Sequence, residues 1–226
     1  MRGPKPENTL AAIREAAAQG ADAVEIDVRT CASGEVVVFH DPDLSRFGGS
    51  GVVSKLSLGE LGRVDLGAGE RIPRLEEALD LARALSLGVN VEIKHDVPDR
   101  ARVVRKVARV LSDWDRGHDV VVSSFDPVVL AMHRAFVPRL AHALLVHEST
   151  YHDWALRIAR AGRVDGVHTE VSLTVAARIG TFVGRGFVNT WTVNDPREAR
   201  RAFELGVSAV ITDRPAHIRA AFEAPP

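Results

Sequence analysis

Cysteine is almost absent from this sequence, because Cys31 is the single cysteine among 226 residues. An internal disulfide bond is therefore excluded, and this cysteine usage fits a reducing compartment. No apolar run is long enough to span a bilayer, and residues 1–25 lack the basic start and apolar stretch of a signal peptide. We therefore expect a cytoplasmic protein without stable membrane insertion.

An excess of charge of one sign is also missing. Lys and Arg total 29 against 30 for Asp and Glu, which gives a net charge of -1. This balance gives no electrostatic argument for binding nucleic acid or an anionic membrane, although a local basic pocket for a small anion remains compatible with it. We expect a small-molecule partner and no nucleic acid. The sequence does not indicate an oligomeric state.

Short runs rich in Val and Ile alternate with longer segments whose apolar residues follow the helical period. The short runs predict strands at 22–29, 36–40, 89–94, 119–124, 140–146, 164–170, 186–193 and 207–213. The longer segments predict helices near 7–19, 74–87, 98–111, 127–136, 152–161, 173–180 and 196–204. No domain boundary is visible, so residues 1–226 are predicted to form one domain, with the Gly- and Ser-rich stretch 45–71 as a small loop insertion.

The run at 36–40 interrupts the alternation of strands and helices. Only residues 30–35 separate it from the preceding run, which is too short for a parallel crossover of about a dozen residues or more. The two runs must form an antiparallel hairpin that turns near Ser33-Gly34. Seven strands remain for a parallel sheet, and the helix near 7–19 has no strand before it. We therefore expect an α/β fold, a TIM-type (β/α)8 barrel that lacks or truncates its first strand, as if the chain began one strand late.

Charged residues cluster at the ends of two neighbouring predicted strands. Glu25 and Asp27 are two residues apart, which places them on one side of the first strand. Pairing about Ser33-Gly34 would set His40 opposite Asp27. Glu92 and Lys94 repeat the spacing on the next parallel strand. These side chains should meet at the face where barrel enzymes build their sites.

Three carboxylates in a small volume repel one another unless a cation lies among them. Oxygen ligands of this kind suit a hard divalent ion such as Mg²⁺ or Ca²⁺, which would polarise a phosphoryl oxygen while His40 transfers a proton. Each motif alone has a simpler interpretation. Glu25 and Asp27 would be a solvated edge or an ion pair, Glu92 and Lys94 a cross-strand salt bridge, and His40 a turn cap.

Several ordered motifs resemble the glycerophosphodiester phosphodiesterases, which belong with the phospholipase-C-like phosphodiesterase barrels. They are Arg2-Gly3, Pro6-Glu7-Asn8-Thr9, Glu25-Ile26-Asp27-Val28, Val37-Val38-Phe39-His40-Asp41, Ile72-Pro73-Arg74-Leu75-Glu76-Glu77, Glu92-Ile93-Lys94, Ser123-Ser124-Phe125, Trp191-Thr192-Val193-Asn194 and Ile211-Thr212-Asp213-Arg214-Pro215. Each motif alone has low specificity, but the set follows the family's order from residue 2 to residue 215.

The resemblance implies a phosphoric diester hydrolase of lipid metabolism that converts glycerophosphodiesters to glycerol 3-phosphate and an alcohol. It further implies the residue roles: metal ligands Glu25, Asp27 and Glu92; phosphate contacts Arg2 and Lys94; an acid–base histidine, His40; and a glycerol contact, Trp191, which would otherwise be a core residue. The headgroup, the choice between Mg²⁺ and Ca²⁺, and the nucleophile, either water or the glycerol 2-hydroxyl, stay open.

The sequence departs from the family at its first residue. The family motif begins His-Arg-Gly, and its histidine is the second acid–base group, whereas Met1 stands there in this chain. A thioether carries no proton to exchange. The alternatives are a chain that starts too late or a catalytically impaired protein that still binds phosphodiesters. Substitution by His95, His147 or His168, all near strand ends, is open, and lysophospholipase-D-like activity is a further alternative.

Overall fold

The protein, described here by a computed structural model for residues 5–114, 119–148, 157, 164–174 and 186–223, has an α/β fold. The strands are β1 (Ala23–Thr30), β2 (Val36–Val38), β3 (Gly88–Ile93), β4 (Val120–Ser124), β5 (Ala141–Val146), β6 (Gly166–Glu170), β7 (Phe187–Trp191) and β8 (Ala209–Val210). The helices are α1 (Leu10–Ala18), α2 (Leu58–Leu61), α3 (Leu75–Ala84), α4 (Arg100–Trp114), α5 (Pro127–Phe136), α6 (Pro196–Glu204) and α7 (Pro215–Glu223).

All eight strands belong to one curled sheet in the order β2-β1-β3-β4-β5-β6-β7-β8. β2 pairs with β1 in the antiparallel sense, whereas the other seven strands pair with one another in the parallel sense. The predicted hairpin and the predicted set of seven parallel strands are therefore confirmed. The helices predicted near 152–161 and 173–180 fall largely outside the described residues. The helix α7, which follows the last strand, is not covered by any of the predicted helix ranges.

Side-chain caps start the helices where the sequence indicates them. The Thr9 side chain accepts a hydrogen bond from the Ala12 amide at the start of α1. Asp126 and Asp195 do the same for α5 and α6, and in both helices a proline follows the cap. A proline at the first helical position gives up an amide that would have had no partner inside the helix. The caps thus fix where these three helices begin.

The main apolar core lies between the sheet and its covering helices. Ile26 and Val28 of β1 are buried in one cluster with Leu79 of α3 and Val107 of α4. Because side chains alternate along a strand, burying Ile26 and Val28 on this side directs Glu25 and Asp27 to the opposite face. The hydrophobic pattern of β1 therefore determines where its carboxylates point. No helix in the described parts of the chain is long and apolar enough to cross a membrane.

Residues 45–71 contain more structure than their glycine and serine content suggests. They hold short helical turns at Ser45–Phe47 and Val53–Lys55 as well as α2. A second apolar cluster anchors them against the hairpin; its members are Cys31, Val37, Phe39, Leu44, Val53, Leu61, Leu66 and Ile72. The stretch is consequently packed onto β2 through these buried side chains.

The two ends of the parallel set, β1 and β8, do not pair with each other within the described residues. A cleft of about 830 Å³ separates them, with α1 and α7 along its sides. Ile26, Val210 and Ile218 contribute to its largely apolar wall. The sheet is therefore open along this seam in the described part of the chain, as the count of seven parallel strands predicted.

Candidate active site

The three predicted metal-ligating carboxylates lie together where β3 ends and beside this point in the middle of β1. Asp27 is the register neighbour of Glu92 in the parallel pairing of these strands. Glu25, Asp27 and Glu92 each offer an oxygen atom, and these atoms lie within 4.8 Å of one another. Asp27 and Glu92 are buried, and Glu25 is half-buried. The structure thus brings together carboxylates that are up to 67 positions apart in the sequence.

Burial and mutual repulsion make this cluster electrostatically unfavourable without a cation. Burial raises the pKa of Glu25 well above its usual value, and the charges of Asp27 and Glu92 raise it further. Burial and Asp27 also raise the pKa of Glu92, against the opposing effect of Lys94. The Glu25 Oε1 atom has no hydrogen-bond partner among the described residues. An all-oxygen set with an unpaired buried oxygen fits a hard divalent cation.

Lys94 lies within this cluster and contacts two of its carboxylates. Its Nζ atom is 2.9 Å from Glu92 Oε1 and 3.2 Å from Asp27 Oδ1. Burial alone would lower the pKa of Lys94, but the charges of Asp27 and Glu92 outweigh it and raise the pKa above its usual value. Lys94 therefore forms a cross-strand salt bridge with Asp27, whereas its contact with Glu92 lies along its own chain segment. The predicted phosphate contact of Lys94 stays a prediction.

Asn8 holds Asp27 in place through both ends of its amide. Its Nδ2 group donates to Asp27 Oδ2 at 2.8 Å, and its Oδ1 atom accepts from the Asp27 amide at 3.0 Å. Because the Lys94 ammonium contacts Asp27 Oδ1, both carboxylate oxygens of Asp27 have a partner. Asn8 reaches this position with a positive φ of 59°, a conformation that asparagine tolerates better than most residues. The sequence had indicated Asn8 only as part of a motif, with no role.

His40 follows β2 at the same end of the sheet, but the predicted pairing with Asp27 is wrong. The register pairs Val28 with Val38, so Phe39 lies opposite Asp27 and donates its amide to the Asp27 carbonyl. The turn causes the shift: Cys31 and Glu35 are joined by a backbone hydrogen bond around a three-residue loop that ends at Gly34, whose φ is 103°. A three-residue loop with a left-handed glycine changes the register by one residue relative to a two-residue turn.

The imidazole of His40 remains accessible beside the carboxylates. Its side chain is 49% exposed, and its Nδ1 atom is 2.7 Å from Asp41 Oδ1. The other Asp41 oxygen is 3.0 Å from Arg46 Nε. An electrostatic contribution from His40 opposes the rise in the pKa of Glu92, so the ring is close enough to interact with the cluster.

Trp191 stands at the carboxyl end of β7, on the other side of the site. Its Nε1 group donates to the His168 carbonyl at 3.1 Å, and its ring makes an edge contact with Phe125 at 5.9 Å between centroids. Phe125 in turn lies 5.8 Å from the His95 ring. These rings form an aromatic wall at the strand ends, and the sequence had given Phe125 no role. Arg2 and Met1 lie outside the described residues.

The other histidines near strand ends differ in their surroundings. His168 is fully buried, and burial lowers its pKa to about 4, so it is neutral near pH 7. Its Nε2 atom is 3.1 Å from Asn189 Nδ2. His147 is half exposed and lies 3.6 Å from Glu170. His95 follows β3 by two residues, as His40 follows β2, and both of these strands pair with β1.

The sequence matches the model of the glycerophosphoryl diester phosphodiesterase family over residues 1–217. The chain belongs to this family. It is 29% identical to the glycerophosphodiester phosphodiesterase of Caldanaerobacter subterraneus over 93% of this chain and 89% of the relative. It is 24% identical to the human lysophospholipase D GDPD1 over 96% of this chain and 82% of the relative.

Solved structures of the same family share the fold. A phosphodiesterase of Oleispira antarctica, solved in complex with the product sn-glycerol-3-phosphate, superposes with a TM-score of 0.88 and 29% identity, covering 97% of this chain and 92% of that chain. A glycerophosphodiester phosphodiesterase of Thermotoga maritima has a TM-score of 0.81 and 26% identity, covering 97% and 95%. The predicted TIM-barrel class is confirmed by these relatives.

Proposed function

We propose that this protein hydrolyses glycerophosphodiesters to glycerol 3-phosphate and an alcohol with the help of one bound divalent metal, Mg²⁺ or Ca²⁺. The observation that carries the proposal is the convergence of Glu25, Asp27 and Glu92, whose oxygens lie within 4.8 Å of one another, in a chain of this family. The Oleispira relative binds the product sn-glycerol-3-phosphate, which supports a small glycerophosphate-containing substrate for this chain.

The residues of the site divide into a metal-holding set and a substrate-handling set. Glu25, Asp27 and Glu92 would hold the metal, which supplies positive charge to stabilise the phosphoryl group as its charge grows. Lys94, already between Glu92 and Asp27, would turn its ammonium toward the phosphate once a cation shares the carboxylates. Arg2 would provide a second phosphate contact.

In this proposal His40 is the residue that transfers protons. Its ring is exposed, and Asp41 accepts a hydrogen bond from Nδ1, so Nε2 is the atom that would exchange a proton with the substrate or with the nucleophile. Trp191 and Phe125 would form an apolar wall for the glycerol moiety, because their rings pack edge to face at the strand ends. The aromatic wall therefore orients the substrate and does not take part in proton transfer.

The test is hydrolysis of glycerophosphocholine and glycerophosphoethanolamine by protein stripped with chelator and then supplied with Mg²⁺ or Ca²⁺. We expect turnover only after metal is added. We also expect Glu25→Gln to abolish turnover and His40→Ala to lower it by about 10²–10⁴-fold. Glu204→Gln, at an exposed position on α6, is the matched control. Full activity in excess chelator would contradict the proposal, and metal-induced stabilisation without any turnover would identify a binding protein instead.

A second candidate activity is release of the headgroup from lysophospholipids. It is supported by the similarity to mammalian proteins named lysophospholipase D. The same assay with lysophosphatidylcholine decides between the two substrates. A higher kcat/KM on glycerophosphocholine favours the first activity, and the reverse order favours the second.

A further inference from the structure

Arg29 is a buried arginine next to the site that has no part in the proposed chemistry. It follows Asp27 by two residues on β1, so both side chains leave the strand on the same side. Only 4% of the Arg29 side chain is exposed. Burying a guanidinium is costly unless its donors are satisfied, and its hydrogen bonds therefore show what it holds.

The guanidinium binds the backbone carbonyl of His40 through two donors. Arg29 Nε donates to His40 O at 3.0 Å, and Nη2 donates to the same oxygen at 2.7 Å. β2 ends at Val38, so the sheet ladder does not extend to this carbonyl. Beyond the end of the strand pairing, Arg29 thus provides the hydrogen bonds that hold the backbone of His40.

Asp96, which follows β3, fixes the guanidinium from the other side. Arg29 Nη2 lies 2.8 Å and 2.9 Å from the two carboxylate oxygens of Asp96, and Nη1 donates to the Asp96 carbonyl at 3.3 Å. The chain segments that leave β2 and β3 are therefore joined through one side chain of β1. A lysine at position 29 could not make the same contacts, because an ammonium lacks the planar guanidinium fork that reaches both the His40 carbonyl and the Asp96 carboxylate.

We propose that Arg29 is a positioning residue that holds the His40 backbone, and hence its imidazole, in register with the carboxylate cluster. This proposal rests on the proposed function for its catalytic consequence. The metal ligand Asp27 is held separately, by Asn8 and Lys94. Loss of Arg29 should therefore displace His40 and leave the metal site intact.

The kinetic test compares Arg29→Met and Arg29→Lys with the control Arg102→Met. Arg102 also holds the hairpin, because it donates to the carbonyls of Cys31 and Ala32. These two residues lie at the turn, at the opposite end of the hairpin from His40. We expect Arg29→Met to lower kcat by about 10–100-fold, as small misplacements of a reacting group do. KM and the metal concentration for half-maximal activity should stay within about twofold of the parent values. Arg29→Lys should lose nearly as much, and Arg102→Met should not lower kcat.

A double-mutant comparison separates positioning from a general structural role. In a His40→Ala background, Arg29→Met should cost less than about twofold in kcat, because residues that act as a unit are not additive. The same loss in both backgrounds would overturn the proposal. A kcat of the Arg29→Lys variant equal to that of the parent would also overturn the proposal.

A spectroscopic readout keeps this proposal separate from the proposed function. The imidazole Cε1–Hε1 signal of His40, assigned from its loss in His40→Gln, should shift or broaden in Arg29→Met and stay unchanged in Arg102→Met. An unchanged signal in Arg29→Met would refute the positioning role, whatever the activity. If the parent protein shows no turnover on any glycerophosphodiester but the signal moves as expected, the proposed function fails and the positioning of His40 stands.

Discussion

Two histidines far from the site should make this protein acid-sensitive. His133 of α5 and His142 of β5 are fully buried, and His133 Nδ1 lies 2.9 Å from His142 Nε2. Burial and the neighbouring His142 lower the pKa of His133 to about 3. Burial and Arg134 lower the pKa of His142 to about 4, although Asp165 acts in the opposite direction. Both rings are therefore neutral in the folded protein at any pH above about 5.

The sign of the effect follows from the unfolded state, where a histidine has a pKa of about 6.5. The unfolded chain binds these two protons as the pH falls through that value, whereas the folded protein does not. The contribution of the two neutral histidines to the free energy of unfolding is therefore present above about pH 6.5 and is lost as the pH falls toward 4. At pH 5 the loss is about 2 kcal/mol for each histidine, or about 4 kcal/mol for the pair. For a chain of this size that corresponds to a fall in Tm of about 8–16 °C.

The assay is urea unfolding at pH 7.5 and pH 5.0, comparing the parent with the double variant His133→Leu/His142→Leu. Replacing both partners by apolar groups leaves no unpaired nitrogen, so the double variant should lose about 4 kcal/mol less than the parent between these pH values. His217→Gln, at an exposed position of α7, is the control. Titration of the carboxylate cluster is common to all three proteins and cancels. Equal pH dependence in parent and double variant would refute the reasoning.

Three further changes test the site and the core. Glu25→Gln should raise the Tm of metal-free protein, and the increase should be larger at pH 8 than at pH 5. The reason is that the pKa of Glu25 is raised in the folded state, so its ionised form destabilises the fold. The same variant should abolish the Tm increase that added Mg²⁺ or Ca²⁺ produces. Asn8→Gly keeps the positive φ but frees Asp27, so calorimetry should show metal binding weakened by about 10–100-fold. Leu79→Ala, fully buried in α3, should cost about 2–5 kcal/mol in urea unfolding, whereas exposed Leu85→Ala should cost under about 0.5 kcal/mol.

The order of the fold could be predicted because each strand and helix carries its own local signal. Val- and Ile-rich runs, Asx caps before prolines, and a spacing too short for a crossover together gave the parallel sheet and its hairpin. The register of that hairpin could not be read in the same way. It depends on whether Gly34 ends a three-residue loop or sits in a two-residue turn, a choice that packing of Phe39 against the 45–71 segment helps to decide.

The charged residues of the site were visible in the sequence, but the residues that hold them were not. Glu25, Asp27 and Glu92 could be grouped because alternation along parallel strands places them on one face. Asn8 and Arg29 act through contacts with residues 19 and 67 positions away, and no periodicity relates such pairs. One signal was available for Arg29: it continues the alternate spacing of Glu25 and Asp27. A buried strand that presents two acids and then an arginine on one face must satisfy that guanidinium, and in the described part of the chain the segments that leave the two neighbouring strands provide its acceptors.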